Sequence, residues 1–298
     1  MFWETDILEA LLIIAIVLLY TTQSLFCRLY TERYPGKPEM ASPVFTVVSG
    51  LIIAAVTFAV AGFSFSAHWI TLLLGIGNAL VLFGYNSFLI RASQLGSYAI
   101  MMVFLVAGGI ILPAISARAF GDEISLVQVI SMIAIIAAVY MVSYKGKESA
   151  GARGRFFLAC FGLLVCNGLY GVLLDMQGRL TGEGEKEEML ILTFGGAALI
   201  SLLPLLITQK KDSIRAFCQS GPSLVFLLAC VAVAATAANT LVYVLQIVDP
   251  TLLYTFNNAG VLLFSVLASC LFFKEKLSRL NVIGCALMCA ALVCFSLF

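Results

Sequence analysis

Charge is the scarce commodity in this sequence. Only 11% of its 298 residues are Asp, Glu, Lys or Arg, whereas soluble domains carry about 25%. Seventeen basic and 16 acidic residues leave a net charge of +1, so there is no strongly basic surface for nucleic acid. Histidine occurs once, at position 68, in a stretch that reads as an interfacial turn. No Walker-type glycine loop is present, which excludes transport driven by nucleotide hydrolysis within this chain. A nucleophile–base pair and a metal-ligand set are also missing, so the expectation is a protein that is not an enzyme and holds no cofactor. The first six residues lack the basic start of a signal peptide, and the apolar stretch after them is too long, so it reads as a retained first span.

What remains is apolar. Residues of the AVILMFWYC set make up 62% of the chain, and the mean hydropathy is +1.07. Nine long stretches carry no charge: 10–27, 40–90, 92–117, 124–144, 156–174, 189–209, 216–248, 250–273 and 280–298. A helix crossing hydrocarbon needs roughly 20 residues. Eight stretches hold one span each, and 40–90 holds two, broken at Gly62 to His68. Barrel strands would be about 9–11 residues of alternating polarity, and these are neither. The fold class expected is therefore all-α, a polytopic membrane protein with ten transmembrane helices. Of the nine cysteines, all but Cys218 fall in or beside spans, where they serve as small apolar residues. Cys285 and Cys289 stand one helical turn apart, but close helix packing explains them better than a metal.

The chain aligns with itself at an offset near 153. Asn86-Ser87 lies over Asn239-Thr240, Ser125 over Ser278, and Gly121-Asp122-Glu123 over Lys274-Glu275-Lys276. Nearer the start the offset is about 147, where Arg28 meets Asp175. Five spans per half is an odd number, so the halves would be inverted repeats, a plan that places a transporter's site near the midplane. The expected units are 1–145, a basic, glycine-rich linker 146–155, and 156–298. Five plus five spans, with an acidic turn before the fifth helix of each half, resembles the drug/metabolite transporter superfamily of EamA type. That resemblance implies a central cavity lined by the first, third, fourth, sixth, eighth and ninth helices. It also implies peripheral fifth and tenth helices, often at a homodimer contact.

Basic residues are lopsided. Fourteen (Arg28, Arg33, Lys37, Arg91, Lys145, Lys147, Arg153, Arg155, Lys210, Lys211, Arg215, Lys274, Lys276 and Arg279) fall on one side of the membrane, and Arg118, Arg179 and Lys186 on the other. The positive-inside rule makes the first side cytoplasmic. Both termini of a protein in the cell membrane, a bacterial cytoplasmic membrane by expectation, would then lie outside, against the family's usual drawing.

Polar residues inside spans are expensive and normally face a wet interior. Tyr20, Gln23, Ser24 and Cys27 share one helical face, as do Asn78, Tyr85 and Asn86, and then Asn167, Tyr170 and Gly171. The eighth span carries Thr236, Asn239, Thr240, Tyr243 and Gln246, and the ninth Tyr254, Asn257 and Asn258. The expected substrate-binding set is Tyr20, Gln23, Asn86, Asn167, Tyr170, Asn239, Tyr243, Tyr254, Asn257 and Asn258, with Asn239, Tyr243 and Asn257 foremost. No charge lies near the centre of any span, which disfavours proton-driven export of cationic drugs. A small neutral or zwitterionic polar solute, amino-acid or nucleoside-like, is the expected cargo, moved by alternating access with gating near Pro113 and Pro250. The alternatives are a quaternary-amine exporter with tyrosine faces and a non-transporting scaffold or partner subunit.

Overall fold

The computed structural model describes residues 2–143, 150–181, 185–207, 220–244, 247–248 and 250–297, and within them every regular element is helical. In chain order these are α1 (Phe2–Arg33), α2 (Pro38–Val60), α3 (Trp69–Leu95), α4 (Tyr98–Ala119) and α5 (Leu126–Ser143), then α6 (Ala150–Thr181), α7 (Lys186–Ile207), α8 (Gly221–Val244), α9 (Pro250–Leu271) and α10 (Arg279–Leu297). Eight helices, α1 to α8, are long and apolar enough to cross a membrane, and shorter apolar segments cover Phe256–Leu271 and Arg279–Phe295. Much of the expected linker lies outside the described residues, but α6 already begins at Ala150. The helix therefore reaches back into the basic stretch, which its Arg153 tethers to the end of α5 by a 2.8 Å bond to the Ser143 carbonyl.

Local chemistry sets the boundaries. Gly62 (φ 68°) and Phe63 (φ 58°) turn the chain between α2 and α3. Ser125 and Gln128 satisfy each other's amides at 2.9 and 3.1 Å ahead of α5, a capping box. Ser278 caps α10 through its Oγ, which accepts from the Asn281 backbone amide at 3.2 Å and donates to Asn281 Oδ1 at 2.7 Å. Pro38 opens α2, where its missing N–H costs nothing.

Packing runs between the halves more than within them. α1 lies on α8 and α9, α3 on α6 and α7, α4 on α6 and α9, α2 on α7 and α8, and α5 on α10. Glycine permits the closest approaches: a Cβ on Gly108 of α4 would run into the Leu164 carbonyl of α6, and one on Gly284 of α10 would lie 2.6 Å from Val142 of α5. α5 turns Leu126, Ile130, Ile133 and Tyr140 outward, each more than half exposed. Contacts at one end join Arg28, Ser93, Gly96, Tyr98 and Glu275. Those at the other join Asp122 with Arg179 and His68 with Glu185. The first end carries the described members of the 14-residue basic set.

Candidate functional site

Five helices converge on a polar and aromatic cluster part-way along the bundle. Tyr85 of α3 lies within electrostatic reach of Tyr98 on α4, Tyr170 on α6, Cys27 on α1 and Cys230 on α8. Cys230 Sγ donates to the Gln23 carbonyl at 3.3 Å, which seats α8 on α1. Asn167 Nδ2 donates to the Leu105 carbonyl at 2.7 Å, which seats α6 on α4. Tyr20 packs against both apolar cores. At 1.5 Å per residue, Tyr85 and Tyr20 lie about 12 Å along their helices from Ser93 and Arg28, which meet at the basic end. Asn257 lies about 12 Å along α9 from Ser265, and Ser265 stands one turn in from the Ser269–Glu275 contact, so Asn257 sits about a turn deeper than Tyr85 and Tyr20.

The basic end of this cluster is shut. Tyr98 is fully buried, and its hydroxyl meets Ser24 Oγ at 2.5 Å and Ser265 Oγ at 3.3 Å, tying α4, α1 and α9 together. Below it, Glu275 from the α9–α10 turn accepts hydrogen bonds from the Tyr98 amide at 2.8 Å and Ser97 Oγ at 2.6 Å. Ser269 Oγ donates to the same carboxylate at 2.5 Å. An anion at a helix N-terminus meets free amides and the positive end of the helix dipole, so this is a strong closure. Arg28 completes it, donating to the Ser93 and Gly96 carbonyls at the end of α3 and covering the Phe273 ring at 5.5 Å. A recess of about 310 Å³ lined by Arg28, Thr31, Glu32, Tyr34, Ser93 and Gln94 lies beside this closure.

At the opposite end Arg179 binds Asp122 at 2.6 and 3.1 Å and Asp175 at 2.8 Å. Its guanidinium holds the Asp122 carboxyl below the usual 3.8. Glu185 accepts from Thr71 Oγ1 and from the His68 amide at 3.0 Å, and these bonds lower its pKa as well. His68 therefore serves at a helix start, its Nδ1 accepting from the Ile70 amide at 3.4 Å.

The expected residues are distributed unequally. Gln23 and Asn257 each keep a buried amide oxygen with no hydrogen-bond partner among the described residues. Such an orphan costs about 1–3 kcal/mol, so it is a natural place for a ligand's donor. Asn86 is 5% exposed, and Asn258 is half-buried beside Asn257. Asn239 is half-buried and Tyr243 exposed. The Asn239 amide is spent on its own helix, on the Ala235 carbonyl at 2.8 Å, as Thr236 is on Ala232. Tyr243 is 57% exposed and shares a face with Val225 and Leu228, while Leu227, Cys230 and Ala237 of α8 are buried. The Tyr254 side chain and Gln246 lie outside the described residues. Tyr98 and Glu275 were not among the expected residues. The only signal for them was a Gly-Ser-Tyr helix start at 96–98 and an acidic turn at 274–276.

No protein-family model matches the sequence, and no curated protein does. Twenty-eight chains of solved structure do match in shape. One is a crystal structure of a protein that superposes over 97% of this chain and 96% of its own, with a TM-score of 0.57 and 17% sequence identity. At that identity the likeness speaks to the fold.

Proposed function

We propose that this chain is a ten-span secondary carrier that moves a small polar organic solute through a site enclosed by α1, α3, α4, α6, α8 and α9. The observation that carries the reading is the polar cluster part-way along the bundle, with unpartnered oxygens on Gln23 and Asn257, closed at one end by Tyr98 and Glu275. Thr57, Asn78, Ser201 and Ser223 also keep buried oxygens without a partner among the described residues, so what favours a carrier is that Gln23 and Asn257 stand on helices that line the cluster.

The helix pairing supports two interchangeable halves. Exchanging each helix with the one five places along turns α1–α8 into α6–α3 and α1–α9 into α6–α4, and it returns α2–α7, α4–α9 and α5–α10 to themselves. This is the pairing expected of an inverted repeat, and it agrees with the drug/metabolite transporter resemblance. With the basic end cytoplasmic, both termini lie outside, and the state described is closed toward the cytoplasm. The cluster then sits near the middle of a ~30 Å hydrocarbon layer. Because the orphans on Gln23 and Asn257 are amide oxygens and no charge stands mid-span, the cargo offers hydrogen-bond donors and carries no net charge. The outward apolar face of α5 is where a second copy would dock.

The test is thermal unfolding of the purified protein against amino acids, nucleosides, sugars, polyamines and quaternary amines. A ligand at 100 times its dissociation constant stabilises the fold by about 2.7 kcal/mol. The carrier reading expects a hit among neutral or zwitterionic solutes that is lost in Gln23→Ala and Asn257→Ala. A hit confined to quaternary amines moves the cargo to the tyrosine faces, and no hit at all favours the scaffold.

A further inference from the structure

One polar hollow lies outside the central cluster. The recess beside the closed basic end holds about 310 Å³, at the small end of ligand sites, which run from about 300 to 1,000 Å³. α1 brings Arg28, Thr31 and Glu32 to its lining, and α3 brings Ser93 and Gln94. Arg28 and Glu32 stand one helical turn apart and pair at 2.8 Å, with side chains 13% and 40% exposed.

The arginines at the two ends of the bundle spend their nitrogens differently. Arg179 commits all three to carboxylates, Nε to Asp175 and both Nη atoms to Asp122. Arg28 gives Nε to Glu32 and Nη1 to the Ser93 and Gly96 carbonyls, and so holds the last carbonyls of α3. Among the described residues its Nη2 has no hydrogen-bond partner, and Glu32 Oε2 has none either. The recess therefore offers unspent donors and an unspent carboxylate oxygen. A lone anion would suit Arg28 and be repelled by Glu32, and a lone cation would meet the reverse. A molecule with an oxyanion and an ammonium a few bonds apart satisfies both through charge-assisted hydrogen bonds.

We propose that this recess binds a small zwitterion with a primary ammonium group, its oxyanion on Arg28 and its ammonium on Glu32. A free amino acid presents that pair, and so does the ethanolamine headgroup of a phospholipid. An incoming oxyanion accepts more strongly from a guanidinium than the neutral carbonyls of Ser93 and Gly96 do. Occupancy therefore draws Arg28 from the end of α3 and loosens the closure beside it. Where the occupant is an amino acid, the recess is the cargo's waiting place on the cytoplasmic side, and the cargo class narrows to amino acids. That use rests on the carrier reading above, whereas the binding itself does not.

Equilibrium binding of labelled L-alanine and of glycerophosphoethanolamine to the full chain, in phosphatidylglycerol nanodiscs at pH 7, tests it. The protein carries Gln23→Ala and Asn257→Ala, so the central cluster contributes nothing. The expected result is one saturable zwitterion per chain. Alaninamide, which lacks the anion, and lactate, which lacks the ammonium, should bind at least tenfold more weakly than alanine. Glu32→Gln, a change at a half-exposed side chain, should weaken zwitterion binding at least tenfold. If the double-alanine background does not fold, Glu32→Gln in the wild type should remove one bound zwitterion per chain. Tighter binding of alanine upholds the site and gives it to cargo. Tighter binding of the headgroup, with alanine displaced when ethanolamine lipid is added, upholds it and gives it to the bilayer. No binding of either zwitterion, equal binding of alanine, alaninamide and lactate, or indifference to Glu32→Gln would overturn it. Recess binding with no hit at Gln23 and Asn257 refutes the central cargo site and keeps the recess, and the converse result does the reverse.

Discussion

The junction between α3 and α4 and the junction between α8 and α9 occupy corresponding places in the two halves, yet the described residues there are held by different chemistry: polar closure at the first, an apolar cluster of Ile16, Val244, Val248 and Leu253 at the second. At the first, a carboxylate, an arginine and a tyrosine hydroxyl converge on residues that are buried almost completely. Near the second, Val244, Val248 and Leu253 are buried against Ile16, and Tyr243, Ile247 and Phe256 around them stay between 44% and 57% exposed. Residue type does not explain the difference between Val103 and Phe256, which correspond across the halves, since Phe256 is as apolar as Val103. The difference lies in where the polar groups of the turns are spent. A helix start satisfied by a carboxylate from the opposite half draws two helices together, and a carboxylate already held by arginine cannot do so.

The contrast breaks most sharply at Glu275. Glu275→Ala leaves three close donors without their acceptor, so unfolding in detergent should become easier by about 2 kcal/mol. Asp122→Ala removes a carboxylate that is 46% exposed and should cost distinctly less. Equal losses would mean that the two ends are held alike. A second contrast is pH. The Asp122 carboxyl is depressed in the folded protein by Arg179, so its contribution is complete above its unfolded value of 3.8 and fades as pH falls through the lower folded value. The stability difference between wild type and Asp122→Asn should stay flat from about pH 8 to pH 5 and shrink only below 3.8. A change near neutral pH would point to another titrating group.

The smallest effect separates the turns themselves. Gly121→Ala places a Cβ on left-handed backbone and should destabilise by about 1 kcal/mol, whereas Lys274→Gly removes such a Cβ and should stabilise by a similar or smaller amount. Matching signs in thermal unfolding would show that the turns are not equivalent.

The helices were legible because charges delimit them: the break at Gly62–His68 separates α2 from α3 where the glycine and the polar run suggested. The caps at Ser125 and Ser278 follow from the same local chemistry. The site was legible only in part. Helical spacing groups Thr236, Asn239 and Tyr243 on one face, but it cannot say which face points inward. In a chain that is apolar all round, hydrophobicity gives no such direction. Their self-bonding to carbonyls four residues back is cheap enough to satisfy an amide anywhere on a helix. Gln23 and Asn257 lie on helices that Ser24 and Ser265 bring to the same tyrosine hydroxyl, a contact no local spacing announces. Tyr98 and Glu275 were hidden because their contact joins residues 177 positions apart, and no local pattern announces that pairing.

The most direct measurement is paired labelling of Phe256→Cys and Val103→Cys with a membrane-impermeant maleimide applied to the outside of intact cells. These positions correspond across the two halves and are 48% and 0% exposed. A carrier sealed at its cytoplasmic end and open outward should label at position 256 above the native background. Position 103 should label on the order of a hundredfold more slowly, since it must wait for an opening that costs about 3 kcal/mol. Equal rates at the two positions, or faster labelling at 103, would contradict the closed basic end and the orientation together.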